Sequence, residues 1–139
     1  ELGCGLGLPS IAAAMAGGRV LATDWSPEAV RAAAENARRN GVELETAVVS
    51  WGSPEAIVER TPWRWVLASD VLYERRNVDL LLELLPRLVD RTGEVLIADP
   101  ARAPAERFLE RAPERWHVRS TGSPRAARTR IHRLRLRAA

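Results

Sequence analysis

The sequence predicts an α/β fold: a doubly wound, mostly parallel sheet that closes with an antiparallel pair of strands at its C-terminal edge. Three observations carry this. Short apolar runs alternate with segments of helical period along most of the chain. A glycine-rich stretch, ELGCGLG from Glu1 to Gly7, leads straight into a helix. At the end, two strand-like runs follow one another with only a turn between them.

Each element has its own signal. Pro9 and Ser10 introduce a small-residue helix over IAAAMA, which Gly17 and Gly18 end. RVLAT is a short strand. Ser26 is an N-cap with Pro27 at the first helical position, and the helix runs through EAVRAAAENARRN to the stop at Asn40 and Gly41. Ala29, Val30, Ala33 and Ala37 form its apolar stripe. VELETAVVS is the next strand, and Ser53 and Pro54 begin a short helix. WRWVLAS is apolar enough for a strand covered on both faces. Asn77 caps a helix over VDLLLELLPRLVD, kinked at Pro86, with Gly93 past its end. EVLIAD is an interior strand and PAERFLERA a helix up to Pro113. RWHVRS and RTRIHRLRLR make the final pair, joined by a turn at Gly122 to Pro124.

At 139 residues the chain has the size of one domain, residues 1–139. A glycine loop of this kind needs a strand feeding it, yet only Glu1 and Leu2 precede Gly3 and the sole methionine is Met15. The domain is therefore expected to lack an N-terminal segment and to fold poorly alone. The leucine-rich run from Val78 to Val89 carries Asp79, Glu83 and Arg87, which excludes a membrane span there. The lone Cys4 forms no internal disulfide, as expected of a cytoplasmic protein.

All 21 basic residues are arginine, and they are unevenly spread. Residues 1–100 hold 10 Arg and 15 acids, a charge of −5, while residues 101–139 hold 11 Arg and 3 acids, a charge of +8. A solvated sheet edge kept soluble by arginine accounts for this tail better than nucleic-acid binding does. Its only aromatics besides two histidines are Phe108 and Trp116, too few for a base-stacking platform.

Candidate site residues gather at strand ends. Gly3, Gly5 and Gly7 bare the main chain at a helix N-terminus, where a ligand can approach closely. Leu8 stands where the dinucleotide fingerprint wants its third glycine, which counts against NAD. Asp24 ends its strand at the edge where a carboxylate grips a ribose. Trp51 offers a flat apolar face for an adenine, while Trp25, Trp63, Trp65 and Trp116 are assigned mostly to packing. Asp70 and Tyr73, in SDVLY, put a carboxylate and a phenol at the same edge as Asp24. Asp99 is assigned to capping the next helix. His117 and His132 have no second ligand at metal spacing, and no metal is expected. Cys4 lacks a nearby base and is not expected to be a nucleophile.

ELGCGLGLPSIAAA, ATDWSPEAV, NARRNG, SWG and ASDVLYE together resemble the class I, seven-strand S-adenosylmethionine-dependent methyltransferases. The closer likeness is to the branch of protein-lysine and nicotinamide-type N-methyltransferases. This resemblance covers residues 1–100 closely and implies a Rossmann-like fold with S-adenosyl-L-methionine as cofactor. It implies that Glu1 to Gly7, with Gly3, Gly5 and Gly7, hold the methionine part, that Asp24 holds the ribose and Trp51 the adenine, with Ser69 on the cofactor side. Asp70 and Tyr73 match the branch's acid-x-x-aromatic motif beside the methyl group, as catalytic residues. Relatives often carry an acid before the tryptophan; here it is Ser50. The acceptor implied is a nitrogen of a protein side chain or of a small molecule. An NAD(P)-dependent oxidoreductase is the alternative, and a basic nucleic-acid-associated domain the third reading.

Overall fold

The computed structural model describes residues 1–138. The elements run α1 (Leu8–Met15), β1 (Leu21–Asp24), α2 (Pro27–Arg39), β2 (Glu45–Val48), α3 (Glu55–Val58) and β3 (Trp65–Ser69). They continue with α4 (Arg75–Leu88), β4 (Glu94–Asp99), α5 (Ala103–Arg111), a 3₁₀ turn over Ala112–Glu114, β5 (Trp116–Ser123) and β6 (Ala126–Leu136). β1 and β2 pair in parallel, as do β3 and β4. β6 pairs antiparallel to both β4 and β5. The predicted antiparallel pair is thus present, with the later strand inside and β5 at the edge.

Leu2 joins the two halves. It bridges in parallel to Thr23 on one side and to Ala68 on the other, giving the order β2, β1, Leu2, β3, β4, β6, β5. Its N–H donates to Leu67 O at 2.8 Å, and Thr23 N–H donates to Glu1 O at 2.9 Å. Because all these strands but β6 point one way, their carboxyl ends share one rim.

Local chemistry explains the helices. In α2 the Ser26 hydroxyl accepts from Ala29 N–H at 3.2 Å, Pro27 opens the helix, and Val30, Ala33 and Ala37 are buried. α4 starts at Arg75, two residues before Asn77 and three before the expected first helical residue. Asn77 is recruited elsewhere: its side-chain amide donates to Val71 O at 3.1 Å, tying the turn after β3 to the helix. α4 also continues through Pro86 to Leu88. It buries Val78, Leu81, Leu85 and Leu88 against the sheet, each side chain worth about 1.5–3 kcal/mol. Phe108 and Trp116 complete that core. The last turn falls at Pro124 and Arg125, later than expected, because Gly122 stays extended with a bulge between Gly122 and Ser123.

Candidate active site

The glycine turn and three strand ends meet at a cleft of 520 Å³. Gly3, Asp24, Trp51, Asp70 and Tyr73 line it, so five of the residues singled out from sequence come together. Asp24 ends β1, Trp51 follows β2, and Asp70 and Tyr73 follow β3. Glu1, Gly5, Gly7 and Ser69 stand outside the wall itself.

The three glycines all have positive φ, at 63°, 51° and 85°, but they serve different ends. A Cβ on Gly7 would stand 2.9 Å from Ala33 Cβ, so Gly7 exists to let α2 close on the turn. Around a Cβ on Gly5 there is nothing within 4 Å. Its N–H donates to Asp24 Oδ2 at 3.0 Å, and Ser26 N–H donates to Oδ1 at 3.0 Å. Asp24 is buried, yet a carboxylate has about four lone-pair sites and keeps acceptor capacity towards the cleft.

Glu1 turns away from the cleft. Its Oε2 accepts from the Ser10 N–H at 2.9 Å and from the Ser10 hydroxyl, which braces the glycine turn on the first turn of α1. Burial pushes its carboxyl pKa up. Ser69 is exposed at the end of β3.

Asp70 is held on both oxygens: Arg102 Nε donates to Oδ1 at 2.8 Å and Nη2 to Oδ2 at 2.7 Å. This guanidinium keeps the Asp70 carboxyl below the usual carboxylate range. Asp99 does not cap α5 as expected: the N-cap is Arg102, without a side-chain cap bond, and Asp99 Oδ2 instead accepts from Arg102 N–H at 3.0 Å in the turn before the helix. Arg102 itself was not legible as a partner of Asp70, being 32 residues away in sequence.

Two tryptophans depart from the packing role. Trp25 is 73 % exposed at the cleft, because it follows the strand-ending acid and lies outside the sheet. Trp65 is half exposed, with the Arg133 guanidinium 5.9 Å from its ring. Trp63 and Trp116 do pack against the core. His132 is buried beside the Ser120 hydroxyl at 2.7 Å, and burial pushes its pKa down. Burial raises the Cys4 thiol pKa to about 11, which suits packing rather than attack. No group of His, Cys, Asp and Glu among the described residues is arranged to hold a metal, and no helix is long and apolar enough to cross a membrane.

A family model described as lysine methyltransferase matches residues 1–115. The chain belongs to the lysine methyltransferase family. It is an S-adenosylmethionine-dependent methyltransferase, and S-adenosyl-L-methionine is its cofactor. The oxidoreductase alternative gives way to that match. Among solved structures, a TehB-like SAM-dependent methyltransferase from Corynebacterium glutamicum superposes with a TM-score of 0.78 at 16 % identity. That likeness covers 99 % of this chain and 78 % of that one. The ribosomal protein L11 methylase from Lactobacillus delbrueckii subsp. bulgaricus gives 0.74 at 23 % identity, over 99 % of this methyltransferase and 68 % of its own chain. The N-methyltransferase NodS from Bradyrhizobium japonicum, in complex with S-adenosyl-L-homocysteine, gives 0.65 at 15 %, over 99 % and 76 %. At these identities the likeness is one of fold. No curated protein matches the sequence.

Proposed function

We propose that this methyltransferase transfers a methyl group to nitrogen, either on a protein side chain of the lysine kind or on a small-molecule amine. The observation that carries the reading is the shared cleft, in which Asp70 and Tyr73 stand with Asp24 and Trp51. The main chain of Gly3 and Gly5 cradles the methionine part, with Gly7 letting α2 close on that turn; Asp24 takes the ribose hydroxyls and Trp51 covers the adenine. Open space over Gly5 and a buried carboxylate beside it suit a nucleoside with a charged tail. Ser50, in the wall, takes the place of an acid beside the adenine, and Glu1 braces the turn from outside through Ser10.

When bound, S-adenosylmethionine supplies a methyl group on a sulfonium. The protein has then to align the acceptor, an effect worth up to about 7–11 kcal/mol in favourable models. An amine must be neutral to attack, although a free lysine has a pKa near 10.4. Desolvation in the cleft lowers that value, and the Tyr73 phenol, half exposed there, receives a hydrogen bond from the amine. Calorimetric titration with S-adenosylhomocysteine and with NAD should give heat with the first only; the opposite pattern would sink the assignment. Radiolabelled donor incubated with a cell lysate should mark macromolecules if the acceptor is a protein and small solutes if it is a metabolite. Tyr73→Phe should slow that labelling about 10²-fold.

Only Glu1 and Leu2 stand between β1 and β3. Backbone groups alternate sides along a strand, so the Leu21 and Leu67 N–H groups face the slot leading to Glu1. An apolar groove of 410 Å³, lined by Leu21, Trp65, Val66 and Leu67, opens there. A cytoplasmic setting accords with the single, buried Cys4.

A further inference from the structure

Among the described residues, only Asp70 and Ala101 hold positive φ without being glycine, at 54° and 63°. They lie just past the ends of β3 and β4, which are neighbours in the sheet. Between these two turns runs the two-pronged contact from Arg102 to Asp70. Both partners are fixed from behind: Arg102 N–H donates to Asp99 Oδ2, and Asp70 N–H donates to Ala98 O at 2.8 Å. Left-handed backbone is unfavourable for residues with a Cβ and persists where the surroundings over-determine it. A planar guanidinium matched to both carboxylate oxygens does so in a way an ammonium cannot. Asp70 opens the turn that buries Val71 and Leu72 and presents Tyr73 to the cleft.

We propose that Arg102 is a positioning residue for methyl transfer: it clamps both oxygens of Asp70 and so fixes the turn that carries Tyr73, which meets the acceptor nitrogen. Asp70 then serves as the anchor of the turn, and the phenol is the group left free to receive the amine. The proposal rests on reading the cleft as the methyl-transfer site.

Tyr73 is the only tyrosine, so 3-fluorotyrosine labelling gives one ¹⁹F resonance that reports on this ring. Arg102→Met and Asp70→Asn should each shift and sharpen that resonance, and the double variant should add nothing further. Arg102→Lys, which keeps the charge and loses the fork, should shift it as well. Arg111→Met, which breaks a contact to Asp79, should leave it in place. In the lysate assay, labelling by both Arg102 variants should fall about 10²-fold, as expected for an acceptor misplaced by an ångström. Affinity for S-adenosylhomocysteine should stay within about twofold in the Arg102 variants, because Arg102 does not line the cleft. A merely structural arginine would lower the thermal midpoint and leave the resonance of the folded Arg102→Lys protein unmoved. That unmoved resonance, or wild-type labelling by the Arg102 variants, overturns the proposal. Failure of the wild-type protein to bind S-adenosylhomocysteine would instead remove the reading of the cleft, whatever the ¹⁹F signal does.

Discussion

Gly5 and Gly7 share a left-handed backbone within one turn, yet they answer to different neighbours. Gly7→Ala meets both the backbone cost and the Ala33 side chain, so it should destabilise the fold by about 3 kcal/mol. Gly5→Ala meets only the backbone cost, about 1 kcal/mol, but places a methyl in the open space over the main chain. Urea denaturation should therefore single out the first variant, and S-adenosylhomocysteine calorimetry the second. Wild-type affinity in Gly5→Ala would mean that the open space is not the cradle. The G-x-G-x-G pattern made the turn legible; which glycine touches protein and which faces ligand depends on α2, packed from 20 or more residues away. Trp25 shows the same limit, since its neighbours in sequence do not reveal that the chain leaves the sheet there.

At the scale of elements, the ladder between β4 and β6 carries a charge pattern of its own. Glu94 opens β4 with its side chain mostly covered, and it accepts from Arg133 and Arg135 of β6. These hydrogen bonds, Arg133's first, hold its carboxyl at about 2 against an ordinary 4.5. The folded pKa is depressed, so this stabilisation is fully present above pH 4.5 and is lost as the pH falls towards 2. Glu94→Gln should flatten the decline of the urea midpoint across that window; an unchanged decline would remove the pair from the acid response. Strands and helices with local punctuation were legible: α2 has its serine cap, its proline and its apolar stripe within its own residues. The start of α4 was not, because Asn77 bonds Val71 O instead of capping. The order of β5 and β6 was hidden too, since alternation specifies a hairpin but not which strand docks on β4.

Over the whole molecule, five of the eleven tail arginines are taken up in internal pairs. Arginines of the tail meet acids of the first hundred residues at Arg102 with Asp70, at Arg107 and Arg111 with Asp79, and at Arg133 and Arg135 with Glu94. The exposed pairs at Asp70 and Asp79 are worth at most about 1 kcal/mol each, so they set which parts of the chain meet more than how stable it is. The apolar slot between β1 and β3 matters more to cooperativity, because the two halves of the sheet join there through Leu2. The 139-residue chain should therefore melt broadly. A sharp transition, seen by calorimetry, would count against so narrow a junction between the two halves.

By itself the sequence determined the local pieces: the glycine turn, the capped helices, the apolar strands, and the acid, indole and phenol standing at strand ends. Those signals act within a turn or two of backbone, where hydrogen bonding and side-chain period are set by near neighbours. Only the tertiary structure decided that Arg102 takes both oxygens of Asp70, that Glu1 faces Ser10, and that β6 lies inside β5. The arginine contacts to Asp70 and Glu94 join residues 32 to 41 positions apart, and they exist only once the sheet has closed and its twist has chosen which side chains can touch.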